Sequence, residues 1–477
     1  MKLSDLFGDQ KVSTDIEIIG LTADSRKVRD GFVFAALKGV ALDGRDYIPM
    51  ALENGAAAIL TDEPIETGNA ALIVDAEPRR ALALASAKFY ARQPQNIVAV
   101  TGTNGKSSTV DFLRQIWSGM GLRGASLGTL GAVGPNGRLD LGHTTPDPVM
   151  IHQTLDMLAG EEVTHAAMEA SSHGLAQYRL DGVKLSGVAF TNLTQDHLDY
   201  HADFEEYRAA KLRLFTELAQ PGMLAVVNAD SPETPVFEAA AHDAGLKLMS
   251  VGWRGADLKI RELSPRATGQ VMDVLYKGEA FDVLLPLIGE FQALNALTAA
   301  GLAIGLGAEP QSVFDAMTTL ETVKGRLELV GEKTCGGAVF VDYAHTPDGL
   351  DVLLRAARPH TAGKLVLIFG CGGDRDPYKR PMMGEIAAKY ADEIIVTDDN
   401  PRSEDPTLIR EAIIEACPEA VEIADRGDAI REGIARLGAG DTLLIAGKGH
   451  ETGQIIANEI LPFSDQDTAK AALEALS

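Results

Sequence analysis

The sequence is poor in cysteine and basic residues, and it has no long apolar run. Its three cysteines, Cys335, Cys371 and Cys417, are too few and too widely spaced to indicate a disulfide framework or a cysteine-ligated zinc site. No apolar run is long enough to cross a bilayer, and the N-terminus has no apolar segment of signal-peptide length. We therefore expect a protein of a reducing cytoplasm that does not insert into membranes.

Positive charge is also scarce. The chain has 43 Lys and Arg residues against 68 Asp and Glu residues, which gives a formal net charge of -25. Such an acidic chain repels nucleic-acid backbones and anionic membrane surfaces unless its basic residues are concentrated locally. We expect no nucleic-acid partner. The length of 477 residues is enough for two to four domains.

Short apolar stretches and punctuating turns predict an α/β protein of three domains. The first, a small α/β domain over 1–95, has predicted strands at 16–19, 31–37, 57–60 and 71–74 and helices at 47–54 and 79–90. The second, over 96–322, opens with an apolar, mostly β-branched strand at 97–100 and resembles a P-loop ATPase. The third, over 323–477, is predicted to be Rossmann-like.

Four strands are predicted in the third domain, at 339–341, 365–369, 393–396 and 443–446, and each is followed by a polar or glycine-rich loop. Ligands of open α/β sheets gather outside the carboxyl ends of the strands. These loops are therefore where we expect chemistry.

A glycine-rich loop follows the strand at 97–100 and precedes an amphipathic helix that carries Val110, Leu113, Trp117 and Met120 on one face. Backbone N–H groups of such a loop surround an anion, the positive end of the helix dipole points at it, and Lys106 adds a positive charge. The predicted ligand is a nucleoside triphosphate. Its predicted contacts are Gly102, Thr103, Asn104, Gly105, Lys106, Ser107 and Ser108. The full GxxxxGK[ST] pattern is not met, because Val100 replaces its first glycine; the alternative is a glycine turn without a ligand.

Seven motifs in one order resemble those of the Mur ligases. They are TGTNGKSS at 101–108, EASSHGL at 169–175, TNLTQDHLDYH at 191–201, DYAHTPD at 342–348, GCGGDRD at 370–376, DNPR at 399–402 and GKGHE at 447–451. Within that family the resemblance is to members that join meso-diaminopimelate to UDP-N-acetylmuramoyl-L-alanyl-D-glutamate. The resemblance covers the chain nearly end to end.

The resemblance implies a catalytic group formed by Lys106, Glu169, His197 and Lys211. Mg²⁺ would be held by Ser107, Glu169 and His197, and oxygen ligands with one imidazole suit that ion. Taken alone, Glu169 is more simply a solvated carboxylate at a strand end. His197 and His201 have the spacing of a zinc-protease pair, but Leu198 replaces the catalytic glutamate of that motif.

Lys211 lies on a predicted helix, where a lysine is usually a solvated surface charge. The resemblance instead implies that CO₂ converts it into N6-carboxylysine, an anion that helps to position magnesium. The same resemblance assigns further substrate contacts. Those for ATP are Asn295, Arg326 and Asp342, and those for the UDP substrate are Ser25, Thr144, Thr145, Ser171, Gln177 and Arg179.

The DNPR loop is the predicted site for the amino-acid substrate. Arg402 can bind a carboxylate through two parallel hydrogen bonds, and Asp399 and Glu451 can hold an ammonium group. A diaminopimelate carries both groups at its far end, whereas lysine lacks that carboxylate. The predicted contacts are Arg375, Asp399, Asn400, Pro401, Arg402, Gly447 and Glu451. Read without the resemblance, Asn-Pro is an ordinary turn beside a surface arginine.

The implied reaction transfers the γ-phosphoryl group of ATP to the D-glutamate carboxylate and lets the amine of diaminopimelate displace the phosphate. It needs positioning and charge neutralisation rather than a covalent nucleophile. The predicted partners are thus ATP, the UDP-linked dipeptide and meso-diaminopimelate. The enzyme is predicted to be a monomer whose domains close around these substrates. The alternatives are a folylpolyglutamate synthetase, a lysine-adding ligase, and a regulatory module that only hydrolyses ATP.

Overall fold

The computed structural model of the chain describes residues 1–8, 12–39, 42–194 and 200–476. The chain divides into two compact units, one of residues 1–258 and 297–313 and the other of residues 259–296 and 314–477. No helix among the described residues is both long and apolar enough to cross a membrane.

The first unit contains two sheets and their covering helices. Its strands are β1 (Gly20–Thr22), β2 (Phe32–Ala35), β3 (Ala56–Thr61), β4 (Ala71–Val74), β5 (Asn96–Thr101), β6 (Gly124–Gly128), β7 (Gly131–Gly134), β8 (Gly137–Leu139), β9 (His165–Glu169), β10 (Gly187–Phe190), β11 (Leu224–Asn228) and β12 (Lys247–Gly252). Its helices are α1 (Leu3–Phe7), α2 (Ile48–Glu53), α3 (Pro78–Phe89), α4 (Lys106–Gly119), α5 (Pro148–Gly160), α6 (Ser172–Ala176), α7 (Phe204–Arg213) and α8 (Thr234–Asp243). Two short 3₁₀ turns, Ser25–Lys27 and Gly44–Tyr47, precede α2.

Strand β5 lies in the middle of the larger sheet of this unit. Its apolar residues, including Ile97, Val98 and Val100, are fully buried, as expected for a strand covered on both faces. The order is β12-β11-β10-β5-β9-β6-β7-β8, with parallel pairs from β12 to β6. The carboxyl ends of β10, β5 and β9 are therefore neighbours, and this arrangement brings the loops after them together. The smaller sheet, β1-β2-β3-β4, is wholly parallel.

The second unit contains the remaining strands. They are β13 (Leu258–Arg266), β14 (Gly269–Tyr276), β15 (Glu279–Leu285), β16 (Glu328–Glu332), β17 (Ala338–Asp342), β18 (Leu365–Phe369), β19 (Glu393–Val396), β20 (Val421–Glu422), β21 (Thr442–Ala446), β22 (Gly453–Ile456) and β23 (Glu459–Pro462). Helices α9 (Glu290–Gly305) and α10 (Pro310–Met317) have residues in both units. Those that follow are α11 (Pro347–Ala357), α12 (Lys379–Tyr390), α13 (Pro406–Ile414), α14 (Arg426–Arg436) and α15 (Asp465–Ala475).

A six-stranded sheet, β16-β17-β21-β18-β19-β20, forms the centre of the C-terminal part of the second unit. All its pairs are parallel except β16 with β17. Separate apolar clusters cover its two faces. The carboxyl ends of β17, β21, β18 and β19 lie side by side, so the loops that begin at 343, 447, 370 and 397 meet at one edge.

The α/β class is confirmed, but the first predicted strand is wrong. Residues 16–18 pair with the N-terminus, since the N–H of Leu3 donates to Ile16 O and that of Ile18 to Met1 O, and only the N–H of Ile19 donates toward the sheet, to Gly31 O just before β2. Ile19 is 62% exposed. The true first strand, β1, begins at Gly20 and pairs with β2.

Candidate active site

The glycine-rich loop lies between β5 and α4 and has a backbone that only glycine accommodates at two positions. Gly102 has φ 149° and Gly105 has φ 85°. A Cβ atom at Gly102 would lie 1.9 Å from Thr191 Oγ1, at the end of β10. The loop is held by its neighbours, because Asn104 N–H donates to Asn192 Oδ1 at 3.0 Å. The loop therefore leads into the N-terminus of α4 in a fixed conformation, which is the geometry of an anion site.

Two lysines meet at one carbonyl oxygen of this loop. Lys106 Nζ donates to Gly102 O at 2.9 Å, and Lys211 Nζ donates to the same oxygen at 2.7 Å. Lys211 is only 1% exposed and lies over the ring of Tyr207. The solvated surface lysine suggested by residue type alone is therefore wrong for Lys211. The two ammonium groups place concentrated positive charge beside the loop.

Glu169, the last residue of β9, is a buried carboxylate rather than a solvated one. It is 2% exposed and accepts a 2.7 Å hydrogen bond from the N–H of Thr129. Burial raises the pKa of Glu169, while the charge of Lys106 and the bond from Thr129 oppose that rise. Ser107 Oγ lies 3.4 Å from Thr129 Oγ1. Ser107 and Glu169, two of the predicted metal ligands, are thus brought together through Thr129.

His197, the third predicted ligand, lies outside the described residues. Its motif partner His201 is buried, with its ring centroid 5.4 Å from that of Tyr207 and 5.7 Å from that of His173. No group of three His, Cys, Asp or Glu side chains arranged for a metal occurs in the described parts of the chain.

Five of the six residues predicted for the UDP substrate form one hydrogen-bonded chain next to Glu169. The contacts are Thr129 Oγ1 with Thr144 Oγ1 at 3.0 Å, Thr145 Oγ1 to Glu169 O at 3.0 Å, Ser171 N–H to Thr145 Oγ1 at 3.2 Å, Arg179 Nη1 to Thr145 O at 2.5 Å, and Arg179 Nη2 to Gln177 Oε1 at 2.7 Å. The sixth, Ser25, belongs to the region of the smaller sheet and is buried with its Oγ 3.4 Å from Met50 Sδ.

The three further residues predicted for ATP lie in the second unit. Asp342 ends β17 and accepts hydrogen bonds of 2.7 Å from the N–H groups of Leu327 and Ala344. Burial raises the pKa of Asp342 against those bonds. The guanidinium of Arg326 lies 4.9 Å from the ring centroid of Tyr343. Asn295 lies in α9, where its Nδ2 is 3.3 Å from Gln292 Oε1.

The DNPR and GKGHE loops are joined by a buried polar network. Lys448 is 0% exposed, and its Nζ donates to Asn400 Oδ1 and Glu451 Oε2, both at 2.9 Å. Asn400 Nδ2 also donates to Glu451 Oε2, at 2.9 Å. Burial would raise the pKa of Glu451, but these hydrogen bonds outweigh it and leave that pKa below its ordinary value. Glu451 therefore carries its charge beside the DNPR loop.

Arg402 is held by its backbone in an unusual conformation. Its φ is 51°, in the left-handed region that non-glycine residues rarely occupy. Hydrogen bonds fix it on both sides, from Arg402 N–H to Ile455 O at 3.0 Å and from Ala457 N–H to Arg402 O at 2.7 Å. Arg402 Nη1 donates to Gly373 O at 2.8 Å, so the side chain is half-buried rather than a free surface charge. Arg375, predicted for the same substrate, is exposed.

Asp399 is buried, and its Oδ2 has no hydrogen-bond partner among the residues that the structure describes. Burial raises the pKa of Asp399, and the charges of Arg426 and Lys448 pull it down. Gly447 has φ 120°, and a Cβ atom there would lie 2.5 Å from Asp399 Oδ2. Pro401 is buried in the same loop. The close approach of Asp399 and Gly447 requires a glycine at 447, and the unpartnered carboxylate oxygen beside it is a free hydrogen-bond acceptor.

Sequence reasoning missed three residues that organise these sites: Thr129, Lys448 and Arg426. Thr129 follows directly after β6, so the rule that ligands gather at carboxyl strand ends could have found it. Lys448 lies within the quoted GKGHE motif, but only the packing reveals that it is buried. No local pattern marks Arg426.

Comparison with known proteins adds three matched family models. They are the Mur ligase family, catalytic domain, over residues 17–90, the Mur ligase middle domain over 100–303, and the Mur ligase, glutamate ligase domain over 325–449. A UDP-N-acetylmuramoyl-L-alanyl-D-glutamate--2,6-diaminopimelate ligase of Caulobacter vibrioides is 52% identical, covering 100% of this chain and 99% of its own. The protein of that name from Bradyrhizobium diazoefficiens is 50% identical, covering 99% of both chains.

Solved structures are similar over the same length. A structure of a UDP-N-acetylmuramoyl-L-alanyl-D-glutamate--2,6-diaminopimelate ligase has a TM-score of 0.80 at 32% identity and covers 100% of this chain and 99% of its own. A folylpolyglutamate synthase of Mycobacterium tuberculosis, complexed with ADP and AMPPCP, has a TM-score of 0.60 at 19% identity and covers 82% of this chain and 93% of its own. That second likeness concerns the fold alone.

Proposed function

This chain belongs to the Mur ligase family, and we propose that it joins meso-diaminopimelate to the D-glutamate of UDP-N-acetylmuramoyl-L-alanyl-D-glutamate while ATP is converted to ADP and phosphate. Relatives 50–52% identical over nearly the whole chain carry the name of that ligase. The reaction would serve peptidoglycan precursor synthesis in the cytoplasm, carried out by a monomer.

The observation that carries the substrate assignment is the arrangement of charge around the DNPR loop. Asp399 and Glu451 provide two carboxylates, and Arg402 provides a guanidinium on the same loop as Asp399. Carboxylates suit an ammonium group, and a guanidinium suits a carboxylate. An acceptor whose far end carries both an ammonium group and a carboxylate satisfies both, whereas the far end of lysine has no carboxylate for Arg402 to bind.

The phosphates of ATP would bind at the loop 102–105 and the N-terminus of α4, next to Lys106. The carboxylate of D-glutamate attacks the γ-phosphorus, and an acyl phosphate and ADP form. The amine of diaminopimelate then attacks the acyl carbon, loses a proton and releases phosphate. The fixed loop N–H groups and Lys106 stabilise the negative charge that develops on the transferred phosphoryl group.

Magnesium fits the residues present. Ser107 and the buried Glu169 offer a hydroxyl and a carboxylate close to the loop, and oxygen donors are those Mg²⁺ prefers. His197 completes the proposed set. When bound, the ion would neutralise phosphate charge.

Lys211 is the proposed site of carbamylation. Two ammonium groups on the carbonyl of Gly102 repel each other, and addition of CO₂ to Lys211 Nζ replaces one cation by an anion and releases two protons, one from the ammonium group and one as the carbamate forms. Lys211→Ala should lose activity, and short carboxylates added to the variant should restore part of it. Peptide mapping of the parent protein under mild conditions should find one added CO₂ at Lys211. Full activity in the variant would refute this role.

The substrate roles of the three domains follow the same proposal, with the UDP moiety at 1–95, ATP at 96–322 and the amino acid at 323–477. The test of the whole is ADP release in the presence of the UDP-dipeptide, with meso-diaminopimelate compared with L-lysine. We expect release that depends on diaminopimelate. Equal efficiency with lysine would refute the acceptor, and phosphate release that ignores any acceptor would favour a regulatory ATPase.

A further inference from the structure

A buried ion pair lies next to the start of the GKGHE loop. Arg426, the first residue of α14, and Asp465, the first residue of α15, are both 0% exposed. The guanidinium binds the carboxylate through two bonds, from Nε to Oδ1 at 2.7 Å and from Nη2 to Oδ2 at 2.8 Å. Nη2 also donates to the carbonyl of Ala446, the last residue of β21, at 3.0 Å. Arg426 is thus tied to the strand end that leads into the GKGHE loop.

Such a pair is not the most direct way to stabilise a core, although removal of one partner would leave the other charge buried and unpaired. Removing two charges from water is costly, and apolar side chains of similar volume often stabilise a core at least as well. The pair is therefore better explained by a neighbouring group whose position depends on it.

Asp399 is the group that the pair faces. A Cβ atom at Gly447 would lie 2.5 Å from Asp399 Oδ2 and 4.0 Å from Arg426 Nη2, so both atoms lie near the same side of Gly447. Asp399 Oδ2 has no hydrogen-bond partner in the described residues, and neither does Arg426 Nη1. The charge of Arg426 lowers the pKa of Asp399 against the effect of burial, so the two side chains interact, and oppositely charged groups of this kind can bind each other. Here Asp465 holds the guanidinium instead.

We propose that Asp465 is a positioning residue that retains Arg426 and so keeps Asp399 Oδ2 available for the ammonium group of the amino-acid substrate. The inference rests on the proposed function. Asp465 does not touch the substrate. Its carboxylate competes with Asp399 for one guanidinium, and by winning that competition it leaves Asp399 with a vacant acceptor.

The test is a double-mutant cycle of Asp465→Asn and Asp399→Asn. In Asp465→Asn the weakened hold lets Arg426 turn to Asp399, so the KM for diaminopimelate should rise about tenfold while the KM for ATP stays unchanged. In Asp399→Asn the same KM rises. The double variant should be no worse in KM than Asp399→Asn alone, because no carboxylate is left for Asp465 to protect.

Thermal unfolding supplies a second test. Unlike the KM, the Tm is expected to be lowered most in the double variant. In Asp465→Asn, Arg426 can still pair with the carboxylate of Asp399. In the double variant neither position carries a carboxylate. The loss of Tm in the double variant should therefore exceed the sum of the two single losses. Asp428→Asn, which removes an exposed carboxylate from the same helix, is the matched control and should change neither KM nor Tm appreciably.

A merely structural role for the pair predicts additive KM losses that extend to ATP, and that result would overturn the proposal. An unchanged KM for diaminopimelate in folded Asp465→Asn would do the same. If Asp465→Asn does not fold, Arg426→Lys is the alternative test. One ammonium group cannot bind both oxygens of Asp465, so this variant should also raise the KM for diaminopimelate. The proposed function fails separately, if the unmodified protein releases no ADP in response to diaminopimelate.

Discussion

The glycine-rich loop and the DNPR and GKGHE loops differ in the groups that hold their charges in place. In the first, backbone groups form the binding surface, and even the two lysines are held by a backbone carbonyl, that of Gly102. In the second, side-chain charges are held by other side chains, as in the contact of Lys448 with Asn400 and Glu451. A backbone surface recognises the shape and charge of phosphates, whereas paired side chains can distinguish one amino acid from another. We therefore expect general losses from variants of the first region and acceptor-specific losses from variants of the second.

The largest effect is expected from Lys106→Ala. Loss of a charged group at the phosphates should lower kcat by about 10³-fold with every acceptor, because the transferred phosphoryl group is common to all of them. ADP release at saturating substrates measures it. Lys247→Ala, on the exposed surface of β12, is the control. A loss confined to one acceptor would break the comparison.

A smaller and selective effect is expected from Arg402→Ala. The KM for diaminopimelate should rise roughly 10²-fold, since a charge-assisted carboxylate contact is lost, while the KM for ATP is retained. Arg431→Ala removes an exposed arginine of α14 and serves as the control. An unchanged KM for diaminopimelate would separate the acceptor site from the DNPR loop.

The smallest effect is expected from Gly447→Ala. The added methyl group would meet Asp399 Oδ2 and force the loop to shift, which should raise the KM for diaminopimelate about tenfold. Gly278→Ala is a matched control, because Gly278 has φ 87° and open space around it. The control carries the backbone strain without the collision. A KM for diaminopimelate that is the same in both variants would show that the contact between residue 447 and Asp399 does not matter for the acceptor.

The sequence predicted the contiguous parts of the molecule well. The strand, glycine loop and helix over 96–119 are specified by neighbouring residues, and three residues of the predicted apolar face, Val110, Leu113 and Trp117, are buried, whereas Met120 lies just past the helix and is half-buried. The strands around 339, 365, 393 and 443 were found for the same reason, because each is an apolar run with a polar loop after it.

Features that depend on tertiary packing were beyond local patterns. The burial of Glu169 and Lys211 arises from chain segments distant in sequence, as does the pairing of Arg426 with Asp465 across 39 positions. The wrong strand at 16–19 has a similar cause: its apolar residues suit a strand, but the N-terminal residues compete successfully for its backbone hydrogen bonds. The site residues carried over by resemblance stay predictions until variants are measured.

The backbone bonds that hold Arg402 bear on which acceptors could bind at the DNPR loop. Because the hairpin of β22 and β23 fixes the backbone of Arg402, the guanidinium can move through only a limited arc. Under the proposed function, an acceptor would have to match the separation between that guanidinium and the carboxylates of Asp399 and Glu451. The hairpin would then select acceptors by their length.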